Sequence, residues 1–356
     1  MKIVSAIILS LSIVIAGIGQ DRPLTRKEYI DLLYAIQKTP ATKAEIIDAL
    51  RRRGIDFVVT DGLRSVTRSK GANDEELKRA LEEADRRRRN PEGSKTPSEI
   101  EVDIILKNTR QNTANVVGEM PDFVVKQLIS RYDAFAGTGN WKLYDNLVIA
   151  VSYSSEKGEQ YRVLAKNGAP VTDSIQASSY SGLDGATSGG EFVEDLQKIF
   201  RPESKTRFEV LTTDVVRGRR TVVFEYEIAL ANNKNGGVGL KGPIYQSSPA
   251  GERGRIWIDR ETFRVLKIEY VLTDIMPSFP VKAVSKSIDY EMIEIAGEKY
   301  LLPTVSDFRG TVESSGRRFD SRNLIRFRNY QKYGTEVRIL DDDIKPDPTP
   351  TPAGKN

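Results

Sequence analysis

The hydrophobic pattern changes period along the chain. From residue 22 to 89, apolar residues recur at helical spacing. Tyr29, Ile30, Leu32, Leu33 and Ile36 follow Thr25-Arg-Lys-Glu28, a capping box in which hydroxyl and carboxylate satisfy each other's backbone donors. Pro40 breaks this first helix. Thr42-Lys-Ala-Glu45 reads as a second capping box ahead of Ile46, Ile47 and Leu50, and Gly54 stands where a helix C-terminal glycine belongs. A third helix is expected from Thr60 to Gly71. A fourth is expected from near Asn73, carrying Leu77, Ala80, Leu81 and Ala84. Together these predict a small all-α module over 22–89.

Residues 90–97 carry nothing able to build a core and read as a linker. Ser98 opens a further helix with Ile100, Ile104 and Ile105, ended by Pro121. The period then falls to two. Leu147, Ile149, Val151 and Tyr153 alternate with Val148, Ala150 and Ser152. Val222, Phe224, Tyr226 and Ile228 alternate with Thr221, Val223, Glu225 and Glu227, and Leu266, Ile268, Tyr270 and Leu272 with Lys267 and Glu269. Such alternation puts one face in a core and one in water, as in an antiparallel sheet. Asn167-Gly168, Arg217-Gly218, Asp259-Arg-Glu-Thr262, Ala296-Gly297 and Ser315-Gly316 supply the turns, which gives about ten strands. One helix interrupts them: Ser188-Gly-Gly-Glu191 reads as a capping box, with Phe192, Val193, Leu196, Ile199 and Phe200 as its apolar stripe. The fold class is α+β, a curved antiparallel half-barrel over 98–342 with covering helices.

The amino end differs from all of this. Met1-Lys2 is followed by an almost wholly apolar run from Ile3 to Ile15 and by small residues through Gly19. That is the three-part pattern of a cleaved secretory signal over residues 1–19. The run is shorter than the ~20 residues that span a bilayer. The expected compartment is periplasmic or extracellular. At the other end, Pro346-Asp-Pro-Thr-Pro-Thr-Pro352 predicts a disordered, extended tail over 343–356.

Composition narrows the chemistry. Among 356 residues there is no cysteine and no histidine. This excludes disulfides, thiolate metal sites, a lipid-attachment cysteine and every mechanism built on a histidine base. The net charge is +4, and +3 once Lys2 is removed, too small to point to nucleic acid. A DNA-reading helix pair is the tempting alternative for the helical module, given Arg51, Arg52, Arg53, Arg64 and Arg68. Behind a secretion signal, these residues read as a solvated basic face on an adaptor or peptide-binding module.

The stretch Gly254-Arg-Ile-Trp-Ile-Asp-Arg-Glu-Thr-Phe-Arg-Val-Leu-Lys-Ile-Glu269 resembles the strand–turn–strand signature of the bacterial lipoprotein-carrier superfamily (LolA/LolB-like). The hairpin from Ile288 to Pro303 fits the same pattern. That hairpin, Met120-Pro-Asp-Phe123 and Gly185-Ala-Thr-Ser-Gly-Gly-Glu-Phe192 also resemble exported acidobacterial proteins. The likeness covers residues 98–340. It implies an incomplete barrel closed by helices, with a hydrophobic cavity for acyl chains or apolar peptides. No carrier-specific cavity residue can be matched, and true carriers are shorter and lack the helical module.

Other motifs dissolve on inspection. Gly237-Val-Gly-Leu-Lys-Gly242 matches a dinucleotide fingerprint but runs into Pro243 instead of a helix. Ser154-Ser-Glu-Lys157 has serine–lysine spacing but falls in a turn. Asp341-Asp342-Asp343 lacks the alternating oxygen ligands of a Ca²⁺ loop. Arg322, Arg326 and Arg328 share a sheet face opposite Ile325 and Phe327, and Trp141 and Trp257 read as core aromatics. No catalytic residue, metal or cofactor is assigned.

The leading expectation is a non-enzymatic envelope protein that binds a lipid or acylated peptide in the curved sheet. Val222, Phe224, Tyr226, Leu266, Ile268 and Tyr270 would line the wall, and Phe192 and Leu196 would cover the mouth. The rival is a packed, ligand-free structural or sensing module that recruits an envelope protein through its helices or tail. A third reading, an enzyme working with carboxylates alone, requires two acidic side chains that converge in a cleft.

Overall fold

The computed structural model describes residues 22–39, 41–171, 183–234, 236–240 and 245–332. The expected signal peptide, Pro40, Asp341–Asp343 and the proline-rich tail lie outside the described residues. The chain divides into two compact units between Arg89 and Asn90.

The first unit has four helices: α1 (Arg26–Ala35), α2 (Thr42–Arg52), α3 (Asp61–Lys70) and α4 (Glu75–Arg89). The Thr25–Glu28 capping box forms in both directions. The second one does not. Thr42 is already the first helical residue, and the cap position falls to Ala41, which has no side chain able to accept a hydrogen bond. Asp74 caps α4 by accepting from the Leu77 amide at 2.8 Å. Leu24, Tyr29, Leu33, Ile46, Leu50, Leu77 and Leu81 fill the interior. A parallel bridge between Leu24 and Ile55 ties the entry strand to the turn after α2. Several of the arginines are paired within the unit. Arg51 pairs with Glu76, Arg52 with Asp48, and Arg64 with Glu82. Arg87 donates to the carbonyls of Leu50 and Arg51 in the last turn of α2, the first of which also accepts from the Gly54 amide.

The second unit opens with a 3-10 turn at Glu92–Ser94, inside the stretch read as a linker, and α5 (Glu99–Glu119). Thirteen strands follow among the described residues: β1 (Phe123–Phe135), β2 (Lys142–Ser154), β3 (Gly158–Lys166), β4 (Ala169–Pro170), β5 (Arg207–Val216), β6 (Arg219–Ile228), β7 (Gly237–Leu240), β8 (Gln246–Pro249), β9 (Gly251–Asp259), β10 (Val265–Thr273), β11 (Val281–Ile295), β12 (Glu298–Ser314) and β13 (Arg317–Lys332), with α6 (Glu194–Phe200) before β5. Eleven form one antiparallel sheet in the order β4-β3-β2-β1-β13-β12-β11-β10-β9-β6-β5, and β7 pairs with β8 alone. The sheet is open, with β4 and β5 at its ends. With α5 and α6 packed on its inner face, it is an α+β half-barrel.

One inward row crosses nine strands: Leu147, Ile129, Ile325, Ser306, Ile288, Ile268, Ile256, Phe224 and Val210 stand side by side. Two apolar clusters meet along it. Phe123, Ile129, Ile149, Phe192 and Ile325 belong to one. Ile105 of α5, Leu196 and Ile199 of α6, Phe224, Ile268 and Ile288 belong to the other. Ser306 lies between them, fully buried, and its hydroxyl has no hydrogen-bond partner among the described residues.

Several local expectations change. Ile100 and Ile104 of α5 are exposed, because the inward stripe runs through Val102, Ile105 and Leu106. The helix placed after Ser188 starts only at Glu194, and the Ser188 hydroxyl bonds the Glu191 carboxylate at 2.6 Å instead of capping it. Residues 237–240 form β7, so the glycine motif continues as a strand, while 241–242 lie outside the described residues. Ser154 accepts from the Lys157 amide within the β2–β3 turn.

Candidate functional site

One register step from the apolar row, the inner face turns polar. Asp145, Arg131, Asn323, Phe308, Lys286, Tyr270, Gly254 and Tyr226 are lateral neighbours there. Gly254 has a local reason. A Cβ would meet the Tyr226 ring at 2.8 Å, so the missing side chain is the space that ring occupies.

This polar row grips the segment that leads into α6. Arg131 donates to the Asp184 carbonyl at 2.6 Å, Asn323 to Ala186 at 2.8 Å, and Lys286 to Gly189 at 2.7 Å. Tyr290 adds a bond to the Glu191 carbonyl at 3.1 Å. Three strands thus hold successive carbonyls of residues 184–191 across the sheet, satisfying backbone acceptors that a buried loop would otherwise leave bare. Arg131 is itself fixed by two bonds to Asp145, both nearly fully buried.

Where the strap becomes α6, charges gather. On a helix, positions three apart share a face. Asp195 and Lys198 therefore point together while Leu196 and Ile199 enter the core. Lys286 sits 3.0 Å from Glu191 and 2.8 Å from Asp195. Lys198 sits 3.1 Å from Asp195 and 2.6 Å from Glu252. Tyr226 donates to Glu252 at 2.7 Å, and Tyr270 to Asp195 at 3.2 Å. Burial raises the Asp195 pKa, but the two lysines outweigh it and hold this carboxyl below its ordinary value. Burial also opposes the charge on Lys286, but Asp195 and Glu191 outweigh it and keep the ammonium protonated. Glu252 is raised, burial exceeding the pull of Lys198. Nearby, burial and then repulsion from Glu191 push Glu159 up to about 7, although it accepts from Tyr161 and from the Gly190 amide.

Above this cluster the inner face is unfilled. A cleft of about 1630 Å³ lies between the sheet, the strap, α6 and the β7–β8 hairpin. Leu272, Val281, Val284, Phe308 and Val312 form its apolar wall, with Val238 and Leu240 of β7 packed against the same cluster. Asp195, Lys198, Tyr270 and Lys286 line it where α6 meets the sheet, and Asp133, Glu203 and Asp320 are further charged groups of the lining. The volume exceeds the ~300–1,000 Å³ usual for small-molecule pockets.

Of the eight residues expected to bind ligand, Tyr270 alone is among the described lining residues of this cleft. Val222, Phe224, Tyr226, Ile268 and Leu196 are packed in the core under α5 and α6. Phe192 stacks among Phe123, Phe327 and Tyr330 in the other cluster. Leu266 sits at a bulge between Val265 and Lys267, so Val265 takes its inward place. Trp257 is buried between the cations of Arg255 and Lys267, and Trp141 stands half-buried beyond the β1 end. Arg322 is bound by Asp307 at 2.9 Å.

What the fold and cleft define is a class, an open antiparallel half-barrel with a cleft on its helix-covered face. No family model matches the chain, and no curated protein matches it. Among solved structures it is similar to the crystal structure of a DUF1329 family protein from Desulfovibrio piger. That match has 10% identity and a TM-score of 0.30, and covers 65% of this chain and 95% of that one. Among the described residues, no helix is long and apolar enough to cross a membrane.

Proposed function

We propose that this protein is an exported, non-enzymatic binding protein of the bacterial envelope that holds a lipid or acylated peptide in the cleft. The observation that carries the reading is that the lining joins an apolar wall on β10–β12 to charged groups, Lys198, Asp195 and Lys286 among them, with Asp133, Glu203 and Asp320 elsewhere on it. An amphiphile joins apolar and polar parts in the same way. Its chain would lie on Leu272, Val281, Val284 and Val312, and its head would meet groups that donate and accept hydrogen bonds. The buried carboxylates support binding over catalysis: Asp195 and Glu191 are engaged by Lys286, and Asp195 and Glu252 by Lys198.

The test is to express the chain from Asp21, purify it without detergent and analyse an organic extract by mass spectrometry. About one lipid per chain, or displaceable binding of dansylated undecanoic acid, is the expected result. An empty protein that ignores this probe would overturn the reading. It would favour the packed interaction module instead, for which the solid core around Phe224, Ile268 and Leu196 already speaks.

A further inference from the structure

The outer face of the sheet carries a covered apolar patch. Val148 is 5% exposed, Leu164 8% and Ala165 0%, and with Leu128 and Ala150 they form a cluster whose described members all belong to β1, β2 and β3. Along the strands these residues alternate with Ile129, Ile149 and Val163 of the inner cluster, so they point away from α5 and α6. The bare face of an antiparallel sheet leaves its side chains in water. A cover other than these three strands is therefore required.

The patch is bordered by cations. One register row runs Arg328, Lys126, Ala150, Arg162, and the next runs Arg326, Leu128, Val148, Ala165. Arg162 and Arg328 are exposed, Arg326 is half-buried, and Lys126 is buried like the apolar residues beside it. On β13, β1, β2 and β3 these two rows hold no acidic residue. The acids further along the face are engaged: Asp307 of β12 by Arg309 and Arg322, and Asp289 of β11 by Arg217 and Lys267.

The sequence beyond β13 has the complementary chemistry. Val337 and Ile339 alternate with Glu336 and Arg338, and Leu340 leads into Asp341-Asp342-Asp343. Lys332, the last residue of β13, stands opposite Phe123, at the end of the sheet where β2 stops and β3 starts. Asp341 follows Lys332 by nine residues, a reach of up to roughly 30 Å, and Arg326 precedes it by six, about 20 Å along the strand. The stretch 172–182 also lies outside the described residues, but Val171 and Leu183 on either side of it both pack on the inner cluster. We infer that residues 335–343 fold back over the outer face of β13, β1, β2 and β3. Val337, Ile339 and Leu340 cover Val148 and Leu164, and Asp341, Asp342 and Asp343 meet Arg162, Arg326 and Arg328. The occupant of this surface is the chain's own tail, and the inference is independent of any ligand in the cleft.

The chain has no cysteine, so Ile339→Cys introduces a single thiol whose reaction with a maleimide reports its burial. Thr351→Cys, beyond the acidic run, is the accessible control. In the folded chain from Asp21, the thiol at 339 should react slower than the control by roughly tenfold or more, and rising salt should speed it. Asp341→Lys with Asp342→Lys and Asp343→Lys should bring its rate up to that of the control. Adding Arg162→Glu and Arg328→Glu, both at exposed sites, restores opposite charges and should slow it again. Three results would overturn the inference: equal rates at 339 and 351, protection at 339 that the lysine substitutions leave unchanged, or protection that disappears on dilution. The last would assign the surface to the tail of a second copy of the chain.

Discussion

Lys286 of β11 and Asp195 of α6 meet at 2.8 Å under the cleft, both almost fully buried, and Glu191 approaches the same ammonium from the strap at 3.0 Å. A single ammonium thus bridges two carboxylates, one from the strap and one from the helix, and Lys198 shares the second of them. Lys286→Met removes it, leaving Glu191 without this cation and Asp195 with Lys198 alone, a loss of about 3–5 kcal/mol by the behaviour of broken buried pairs. Urea unfolding, followed by tryptophan emission, measures it. A loss below ~1 kcal/mol would show that water already reaches these charges.

Ser306 gives the opposite sign. Its hydroxyl sits between Ile288 and Ile325 with no hydrogen-bond partner among the described residues. Ser306→Ala removes a desolvated polar group and should stabilise the protein by about 1 kcal/mol. Denaturant midpoints of the two proteins decide it; a destabilised variant would mean the hydroxyl holds a buried water.

Glu159 predicts a pH dependence. Its folded pKa is raised from 4.5 to about 7, so the folded state binds its proton more tightly than the unfolded state does. The resulting stability is fully present below pH 4.5 and is lost as pH rises towards and through 7. Glu159→Gln keeps an acceptor for the Gly190 amide and cannot ionise. The variant should melt above wild type at pH 8 and converge with it near pH 4, with a gap on the order of 2 kcal/mol at the alkaline end. Parallel melting curves across that range would contradict it.

Gly310 offers a way to fill the cleft. It lies on the lining of β12, where a Cβ would meet Ser321 Oγ at 3.5 Å and the Phe308 ring at 3.7 Å, both ordinary contacts. Gly310→Phe should project into the open space without breaking the strand. Binding of dansylated undecanoic acid should then weaken by roughly tenfold, about 1.4 kcal/mol, while the melting temperature holds. Unchanged binding would place the ligand elsewhere.

The alternation of apolar and polar residues made the sheet legible in the sequence, because a half-buried strand must repeat every second residue. It also identified Phe224 and Ile268 as inward. It could not distinguish a filled inner face from an empty one, since that depends on how far α5 and α6 reach along the sheet. The phase also fails at bulges: Leu266 sits in one, and Val265 points inward in its place. The charged cluster under the cleft did leave a trace. Val284, Lys286, Ile288 and Tyr290 share one phase, and a lysine on the apolar phase of a strand signals a buried cation that needs partners. Its partners on α6 were hidden, because the helix begins at Glu194 instead of after Ser188.

The sheet order places β1 directly beside β13, with Ile129 against Ile325. The first long strand of this unit therefore finds one of its two neighbours only when the last of the described strands has been made. A chain interrupted before Arg317 would carry two long bare edges, on β1 and on β12, facing the same gap. Contacts this distant in sequence form slowly, and unpaired edges recruit strands from other chains in the meantime. The unfinished chain, rather than the finished one, is thus the species most in need of a chaperone.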